Sequence, residues 1–375
     1  HSGSRLVAPH DDGKLLEYDL ESQQWTEVST LEDVRMISWS YDDSKLVVGH
    51  PGNKISVLDA EDYSTVNEIE IEAVENIRMV MWDPTGENVL VTDDVGKQFG
   101  VAFGDSPVIS TLPQTELPIW GYEWVPQTEE LVIVCSNKEI YLTDNPFNDS
   151  APTALDEVSL TNSGYQTVIF TKDGKSVITS SFEGVQVFDR KTGELLKTID
   201  ETQFMLIKPT ADEKKLVLGR TGYVVRIIDM ETWEEVGQIH QYRIASAAWS
   251  PDGNQLAIGR KSASSLENTV VSVFDVSDPA NIGLVGEVNV PGEISSIVWN
   301  SSGDRLAAGG FVELVSNERV FLVDATSFEV LGAAGGLNQG ISDLHFIPNT
   351  NTVIASGANG LDAFDFQVNP PAVRS

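Results

Sequence analysis

The chain has 375 residues and carries 24 Lys and Arg against 57 Asp and Glu, a formal net charge of −33 at pH 7. Such a surface repels polyanions, so we expect no nucleic-acid partner and no docking on anionic membranes. Apolar residues make up 41% of the chain, as in an ordinary globular core, and the single cysteine, Cys135, excludes an intrachain disulfide. No apolar run approaches the roughly 18 residues of a membrane-spanning helix.

A short apolar run that ends in an aromatic residue recurs along the chain, and a second run begins seven residues after that aromatic. In chain order the pairs are Trp39–Leu46, Trp82–Val89, Trp124–Leu131, Phe170–Val177, Pro209–Leu216 (with proline in the aromatic position), Trp249–Leu256, Trp299–Leu306 and Phe346–Val353. The turn between them often contains Asp-Gly or Ser-Gly, and glycine tolerates the positive φ of a tight hairpin. Each pair therefore predicts an antiparallel hairpin.

A third run follows each second run, usually ending in an apolar residue and an aspartate, and a turn then leads to a fourth run. The aspartates are Asp19, Asp59, Asp144, Asp189, Asp229, Asp275, Asp324 and Asp365, while Phe103 marks the copy without one. No segment shows the apolar stripe of a helix. Four-stranded units that repeat every 40–45 residues or so are the signature of a β-propeller.

We therefore predict an all-β chain, a single β-propeller domain over residues 1–375 built from four-stranded antiparallel blades. The expected repeats span residues 34–72, 77–113, 119–160, 165–200, 204–240, 244–290 and 294–336, and residues 341–367 with 1–30 form the closing region.

The repeats resemble the divergent, bacterial type of the WD40-like family. The resemblance is clearest in Ala247–Gly259, which reads Ala-Ala-Trp-Ser-Pro-Asp-Gly-Asn-Gln-Leu-Ala-Ile-Gly, and it covers nearly the whole chain. The Trp-Asp pair of the family is replaced by Phe-Asp, Ile-Asp or Val-Asp, and the Gly-His pair is missing. Such folds host many roles, so the resemblance implies the fold and not a function.

The N-terminal segment matches the second, third and fourth strands of a repeat, which leaves two ways to close the propeller. In the first, Trp25–Thr30 forms the outer strand of the C-terminal blade, next to Leu361–Phe366, and the propeller has eight blades. In the second, each end forms its own incomplete blade, which gives nine. We favour eight, because a shared blade hides strand edges.

Ligands of WD40-like propellers usually meet the face with the loops from second to third strand, and the resemblance implies that two repeat positions line the channel mouth there. One position lies four residues before the anchor aromatic: Arg35, Arg78, Trp120, Gln166, Met205, Ala245, Ser295 and Ser342. The other lies four residues after the start of the second run: His10, His50, Asp93, Cys135, Ser181, Arg220, Arg260, Gly310 and Gly357. The two positions hold four arginines and one acidic residue, against the charge of the whole chain.

We therefore predict a basic, partly aromatic ligand site at Arg35, Arg78, Trp120, Arg220, Arg260 and His50, suited to an acidic peptide or a carboxylate. The alternative is that the arginines pair with nearby acids such as Glu32, Asp33, Glu75 and Asp94. Two longer loops on the same face, Arg260–Thr269 and Gly310–Glu318, add Lys261, Phe311 and Leu314 as candidate binding residues, unless the loops are neutral insertions.

The leading function is a non-enzymatic scaffold that binds a protein or peptide on this face, as a monomer without cofactor or metal. The alternative is a propeller enzyme of the lactonase or lyase type, with His10, His50, Asp93 and Arg220 in the central channel. A third reading is one module of a larger secreted or surface protein. A chain with one cysteine suits both the cytoplasm and the periplasmic or secreted space.

Overall fold

The computed structural model describes residues 6–10, 12–19, 22, 24–28, 31, 33–103, 107–111, 119–125, 130–135, 140–143, 147, 153–154, 167–181, 184–200, 206–219, 224–241, 243–260, 268–311, 319–335, 340–357, 360–366 and 372–374. Within these residues the regular structure is β-strand and contains no α-helix, as the sequence predicts. The chain divides into two compact units. Unit 1 comprises His1–Thr179 and Gln186–Leu196, and unit 2 comprises Ser180–Val185 and Lys197–Ser375.

The described strands form eight four-stranded sheets and one three-stranded sheet. Unit 1 holds β1–β3 (Leu6–Pro9, Leu15–Asp19, Gln24–Glu27), β4–β7 (Met36–Trp39, Lys45–Gly49, Lys54–Asp59, Thr65–Glu70), β8–β11 (Ile77–Trp82, Asn88–Asp93, Gln98–Ala102, Val108–Thr111) and β12–β15 (Ile119–Trp124, Leu131–Cys135, Ile140–Thr143, Thr153–Ala154). The division between the units runs through β16–β19 (Thr167–Phe170, Ser176–Ser181, Gly184–Asp189, Leu195–Asp200).

Unit 2 holds the remaining four sheets, and in every sheet the strands are paired in chain order. They are β20–β23 (Leu206–Pro209, Lys215–Gly219, Val224–Asp229, Glu235–His240), β24–β27 (Ile244–Trp249, Gln255–Arg260, Asn268–Asp275, Gly283–Pro291), β28–β31 (Glu293–Trp299, Arg305–Phe311, Val320–Asp324, Val330–Ala334) and β32–β35 (Asp343–Phe346, Thr352–Gly357, Gly360–Asp365, Ala372–Arg374). The anchor residue Trp249 pairs with Leu256 across the first hairpin, seven residues on, as expected.

The predicted pairing of Trp25–Thr30 with the C-terminal sheet is wrong. Strand β3 pairs instead with β2, where Trp25 lies opposite Tyr18 and the two rings stack edge to face at 5.2 Å. The outer edge of β34 is taken by Ala372–Arg374, with Ala363 opposite Arg374. Each end therefore forms its own sheet, as in the second alternative, because a local hairpin closes a much shorter loop than pairing of the chain ends.

Side chains at the first hairpin explain one part of the repeat. Ser250, directly after the anchor Trp249, donates its hydroxyl to Asp252 Oδ1 at 2.6 Å and accepts the backbone N–H of Gln255 at 2.8 Å. The same hydrogen bond from hydroxyl to carboxylate recurs at Ser40–Asp42, Thr171–Asp173 and Thr210–Asp212. The hydroxyl of Ser40, followed by Ser44, lowers the pKa of Asp42 to about 2.

The aspartate at the end of the third strand fixes the turn that follows. Asp229 Oδ1 accepts the backbone N–H groups of Glu231 and Thr232 at 3.0 and 2.8 Å, and these bonds allow Trp233 to adopt a φ of 57°. The recurring aspartate is therefore a turn cap, as in other Asx turns. These hydrogen bonds lower the pKa of Asp229, and the bond from the Thr232 N–H has the largest effect.

The hydrophobic core of each unit lies between consecutive sheets. In unit 1, for example, Val47 and Ile55 of one sheet pack with Val80 and Trp82 of the next, and all four are buried. The anchor tryptophans also bond between sheets: Trp299 Nε1 donates to Ala248 O at 3.0 Å and Trp249 Nε1 donates to Lys208 O at 2.9 Å. Apolar burial and these indole bonds bring the first strands of consecutive sheets into contact within each unit.

Candidate functional site

The repeat position four residues before the anchor is a β-bulge in several sheets. In β8, Ile77 lies opposite Asp93 and Met79 opposite Thr92, so Arg78 is an extra residue in its strand. Trp120, Ala245 and Ser295 occupy the same bulge in their sheets. Bulges re-aim side chains at the ends of sheets. The backbone thus distinguishes this position, which was chosen from the resemblance to WD40-like propellers.

Arg35 and Arg78 lie on neighbouring sheets of unit 1 and both are exposed. Arg35 precedes β4, and its N–H donates to Gly49 O at 2.9 Å at the end of β5. The next residue, Met36, packs on the core that contains Ile77, the residue before Arg78. A side chain at Gly49 would overlap Met36, with a Cβ-to-Cγ distance of 2.6 Å, so glycine permits this close approach. The residues next to the two arginines, Met36 and Ile77, therefore belong to one core between neighbouring sheets.

Neither arginine forms an ion pair within the described part of the chain. Asp94, one of the expected partners, instead accepts a hydrogen bond from Asn76 Nδ2 at 3.2 Å. Asp33 and Glu75 also make no ion pair with them, and Glu32 lies outside the described residues. The alternative in which acids neutralise these arginines is thus not observed for the three described acids. Both guanidinium groups are thus exposed donors without an ion pair to a described residue.

The turn between β9 and β10 adds an apolar and a basic side chain beside Arg78. Asp94 N donates to Asn76 O at 3.1 Å, which places this turn next to the start of β8. Asp93 fixes the turn by accepting the N–H groups of Val95 and Lys97 at 3.1 and 2.7 Å. Val95 is 60% exposed, and Lys97 is exposed and forms no ion pair with a described residue. We call Arg35, Arg78, Val95 and Lys97 the arginine surface.

The other predicted ligand residues fall into three groups. Arg260 lies in unit 2, opposite Ile244 at the end of β25, is half-buried and has no ion pair with a described residue. His50 is buried, and its Nε2 lies 2.9 Å from Ser56 Oγ, so it belongs to its own hairpin. Arg220, Lys261 and Leu314 lie outside the described residues, as do the side chains of Trp120 and Phe311.

The residues suspected for a propeller enzyme are engaged locally where they are described. His10 is exposed and pairs with Asp12 at 2.8 Å, and Asp93 is buried and caps its turn. His50 contacts Ser56, as above. Within the described residues, no group of three or more His, Cys, Asp and Glu has the arrangement of a metal site, and no helix is long and apolar enough to cross a membrane.

A polar cluster on the first strands of unit 2 was not predicted. Asp343 Oδ1 accepts Ser296 Oγ–H at 3.1 Å and its neighbour Leu344 N–H at 2.9 Å, and Asp343 Oδ2 lies 3.0 Å from His345 Nε2. Lys208 lies within electrostatic range of Asp343, although the two form no ion pair. Burial lowers the pKa of Lys208, while the Asp343 carboxylate opposes that shift. The one sequence signal is Pro209, which replaces the aromatic anchor next to Lys208.

The comparisons with known proteins show the fold. No family model matches the chain, and no curated protein matches its sequence. Among solved structures, Saccharomyces cerevisiae Sqt1 is similar at 13% identity and a TM-score of 0.59, over 91% of this chain and 95% of that one. Chaetomium thermophilum Sqt1, bound to the N-terminus of the ribosomal protein L10, is similar at 14% identity and a TM-score of 0.58, over 90% and 95%.

A third similar structure is the dihydro-heme d1 dehydrogenase NirN in complex with DHE, at 14% identity and a TM-score of 0.60, over 92% of this chain and 75% of that one. The C-terminal WD40 domain of Sif2 is similar at 15% identity and a TM-score of 0.54. The chain therefore has the WD40-type β-propeller fold, with four-stranded antiparallel sheets as blades, and the expectation from the sequence is confirmed.

Proposed function

We propose that this protein is a non-enzymatic interaction module that binds an acidic protein or peptide segment through the arginine surface of unit 1. The observation that carries the proposal is the state of Arg35 and Arg78, which are exposed and without an ion pair in the described chain. A protein with a net charge of −33 has acids available to neutralise two arginines, yet the three described acids near them do not. Such a basic patch attracts anions locally within an acidic surface.

The side chains of the surface suit a carboxylate-bearing peptide. Each guanidinium presents a planar fork of donors that matches a carboxylate, and Lys97 adds a flexible ammonium group. The exposed Val95 offers an apolar contact beside these charges, as interaction surfaces commonly combine both. Binding of a protein segment by this fold has a precedent in the Chaetomium Sqt1 structure bound to the N-terminus of L10. The similarity to NirN means that the fold alone does not choose between binding and catalysis.

The test uses a displayed library of acidic peptides, selected on the wild-type protein, followed by affinity measurements on the enriched peptides. We expect R35A/R78A to weaken binding by about tenfold or more, since charge-assisted hydrogen bonds are lost. Affinity should also fall as salt rises, because exposed charges are screened over about 8–10 Å at physiological ionic strength. The matched control is K191A/K214A, which removes the same charge from exposed turns.

Two results would overturn the proposal. One is a selection in which the wild-type protein enriches no acidic peptide above R35A/R78A. The other is an equal loss of affinity in R35A/R78A and K191A/K214A, which would reduce the effect to net charge. Equal melting temperatures of the wild-type protein and R35A/R78A show that the fold is intact, as expected for exposed side chains.

A further inference from the structure

A cavity of about 340 Å³ lies in unit 2, between the turn that joins β28 to β29 and the turn that joins β32 to β33. Five residues of 300–305 and the three residues 349–351 line it, and all eight have polar side chains. Strands β28 and β29 both contact β32, so the two turns belong to neighbouring sheets. Because no apolar side chain lines the cavity, it suits a polar molecule.

The second of these turns differs from the equivalent turn in other repeats. In an earlier repeat the Ser250 hydroxyl donates to Asp252, and the positive φ of the turn, 69°, belongs to Gly253. In the last repeat Ile347 takes the place of the hydroxyl residue, and the positive φ, 61°, belongs to Asn349. The Asn349 side chain therefore lacks the hydrogen-bond partner that the carboxylate has at the equivalent position.

Three side chains that line the cavity are open to hydrogen bonding. Ser301, Asn349 and Asn351 make no side-chain hydrogen bond within the part of the chain that the structure describes. The hydroxyl of Thr350, in contrast, donates to Ile347 O at 2.9 Å. A hydroxyl and a carboxamide can each donate and accept hydrogen bonds. The cavity thus presents three groups of mixed donor and acceptor character.

The charged residues that line the cavity already have partners within the protein. Arg305 Nη1 lies 2.9 Å from Asp324 Oδ2 and 3.2 Å from Asp304 Oδ2. Asp304 Oδ1 accepts hydrogen bonds from Ser302 Oγ at 2.6 Å and from Asn300 Nδ2 at 2.7 Å. An ionic ligand would have to compete with these contacts, so we expect a neutral ligand.

We propose that this cavity binds a neutral monosaccharide, held by hydrogen bonds between its hydroxyl groups and Ser301, Asn349 and Asn351. Sugar hydroxyls both donate and accept, as the three protein groups do, so each contact can form in either direction. The volume lies at the lower end of the roughly 300–1,000 Å³ of small-molecule sites, which suits a single sugar ring. The site lies within unit 2 and does not depend on the arginine surface of unit 1.

The experiment screens glucose, galactose, mannose, xylose and N-acetylglucosamine against the purified protein by saturation-transfer NMR. Concentrations reach about 100 mM, since neutral hydrogen bonds alone give weak binding. The sugar that binds best is then titrated against N349G/N351A, in which glycine keeps the positive φ of the turn. We expect its affinity to fall at least about tenfold. The matched control is N254A/N281A, which removes two amides from exposed turns of unit 2 outside the cavity and should bind as the wild type does.

The outcomes separate the proposal from its alternatives. No binding of any of the five sugars, or equal affinity of N349G/N351A and N254A/N281A, would overturn the site. Tighter binding of glucuronate or glucosamine than of glucose would show an ion site, and equal binding of open-chain sorbitol would overturn the assignment to a sugar ring. Equal melting temperatures of the wild type and N349G/N351A show that the fold is intact. S301A, on the other turn, is a second variant and should weaken binding by about threefold or more.

Discussion

A buried ion pair between two sheets of unit 1 gives the sharpest stability prediction. Arg190 follows Asp189 at the end of β18, and its side chain is 5% exposed. It forms an ion pair with Glu130, which is 18% exposed, and its Nε donates to Gly174 O. Burial lowers the pKa of Arg190, which reflects the cost of keeping this charge away from water. Removing either partner leaves the other charge buried without compensation.

The equivalent position in other repeats shows what would replace Arg190 well. It is apolar and buried in Ala60, Met230, Val276 and Ala325. The same backbone hydrogen bond forms at both positions, since Arg190 N donates to Lys175 O at 2.9 Å and Met230 N donates to Lys214 O at 2.9 Å. Methionine thus already occupies the equivalent buried position in another repeat, at Met230. R190M alone should lower the free energy of unfolding by about 3–5 kcal/mol, because Glu130 stays buried and loses its counter-charge.

The double variant tests whether loss of the ion pair causes the lower stability of R190M. R190M/E130L should come within about 1 kcal/mol of the wild type, since replacing a buried ion pair by apolar side chains is often neutral or stabilising. The assay is urea unfolding followed by tryptophan fluorescence, with the slope m compared between variants. K191M, on the exposed turn beside it, is the control and should change stability by less than about 0.5 kcal/mol. Additive losses in the double variant would refute the reasoning.

Two further predictions concern the turns and edges of the sheets. G286A should lower the free energy of unfolding by about 1–3 kcal/mol, because the new Cβ would overlap the Phe328 ring of the next sheet. The control is G283A, in the same strand, where a Cβ would meet open space. Equal effects of the two substitutions would contradict the role of the Phe328 contact. D42N should reduce stability at pH 7, since the folded-state pKa of Asp42 is about 2 and its ordinary value is about 3.9. That difference is fully present above about pH 4 and should vanish as the pH falls to about 2, so a difference that persists in acid unfolding below this range would refute it.

The repeated unit could be predicted from the sequence because each of its parts is local. Trp249, Ser250 and Asp252 lie within four residues, and their roles as anchor, hydroxyl donor and turn acceptor follow from short-range geometry. The closure could not be predicted in the same way. Ala372–Arg374 is a strand of three residues, too short to carry a recognisable pattern, and its pairing with β34 competes with other edges on equal local terms.

The same distinction between local and non-local features applies to the candidate site. The spacing from the anchor predicts that this position lines a ligand site, which stays a prediction, while the structure shows a bulge there at Arg78. Whether Arg35 and Arg78 are neutralised depends on distances between side chains of different segments, which the spacing does not contain. The hydrogen bond from Ser296 to Asp343 was not predicted for the same reason, because the two residues are 47 positions apart and lie on the first strands of different sheets.

Equivalent positions in an internal repeat can be compared with one another. A charged residue at a position that is uncharged in other repeats either has a compensating partner within the protein or lacks one. Arg190 departs from an apolar position, but Glu130 compensates its charge, so the departure is a matter of packing and stability. Arg78 departs from Ala245 and Ser295 at the same bulge, and no described residue compensates it. The Ser295 hydroxyl donates a hydrogen bond to Gly309 O at 3.2 Å, which shows that the bulge needs no charge for its own stability. An arginine there therefore has no structural role that serine does not fulfil, which supports the proposal that Arg78 contacts a partner.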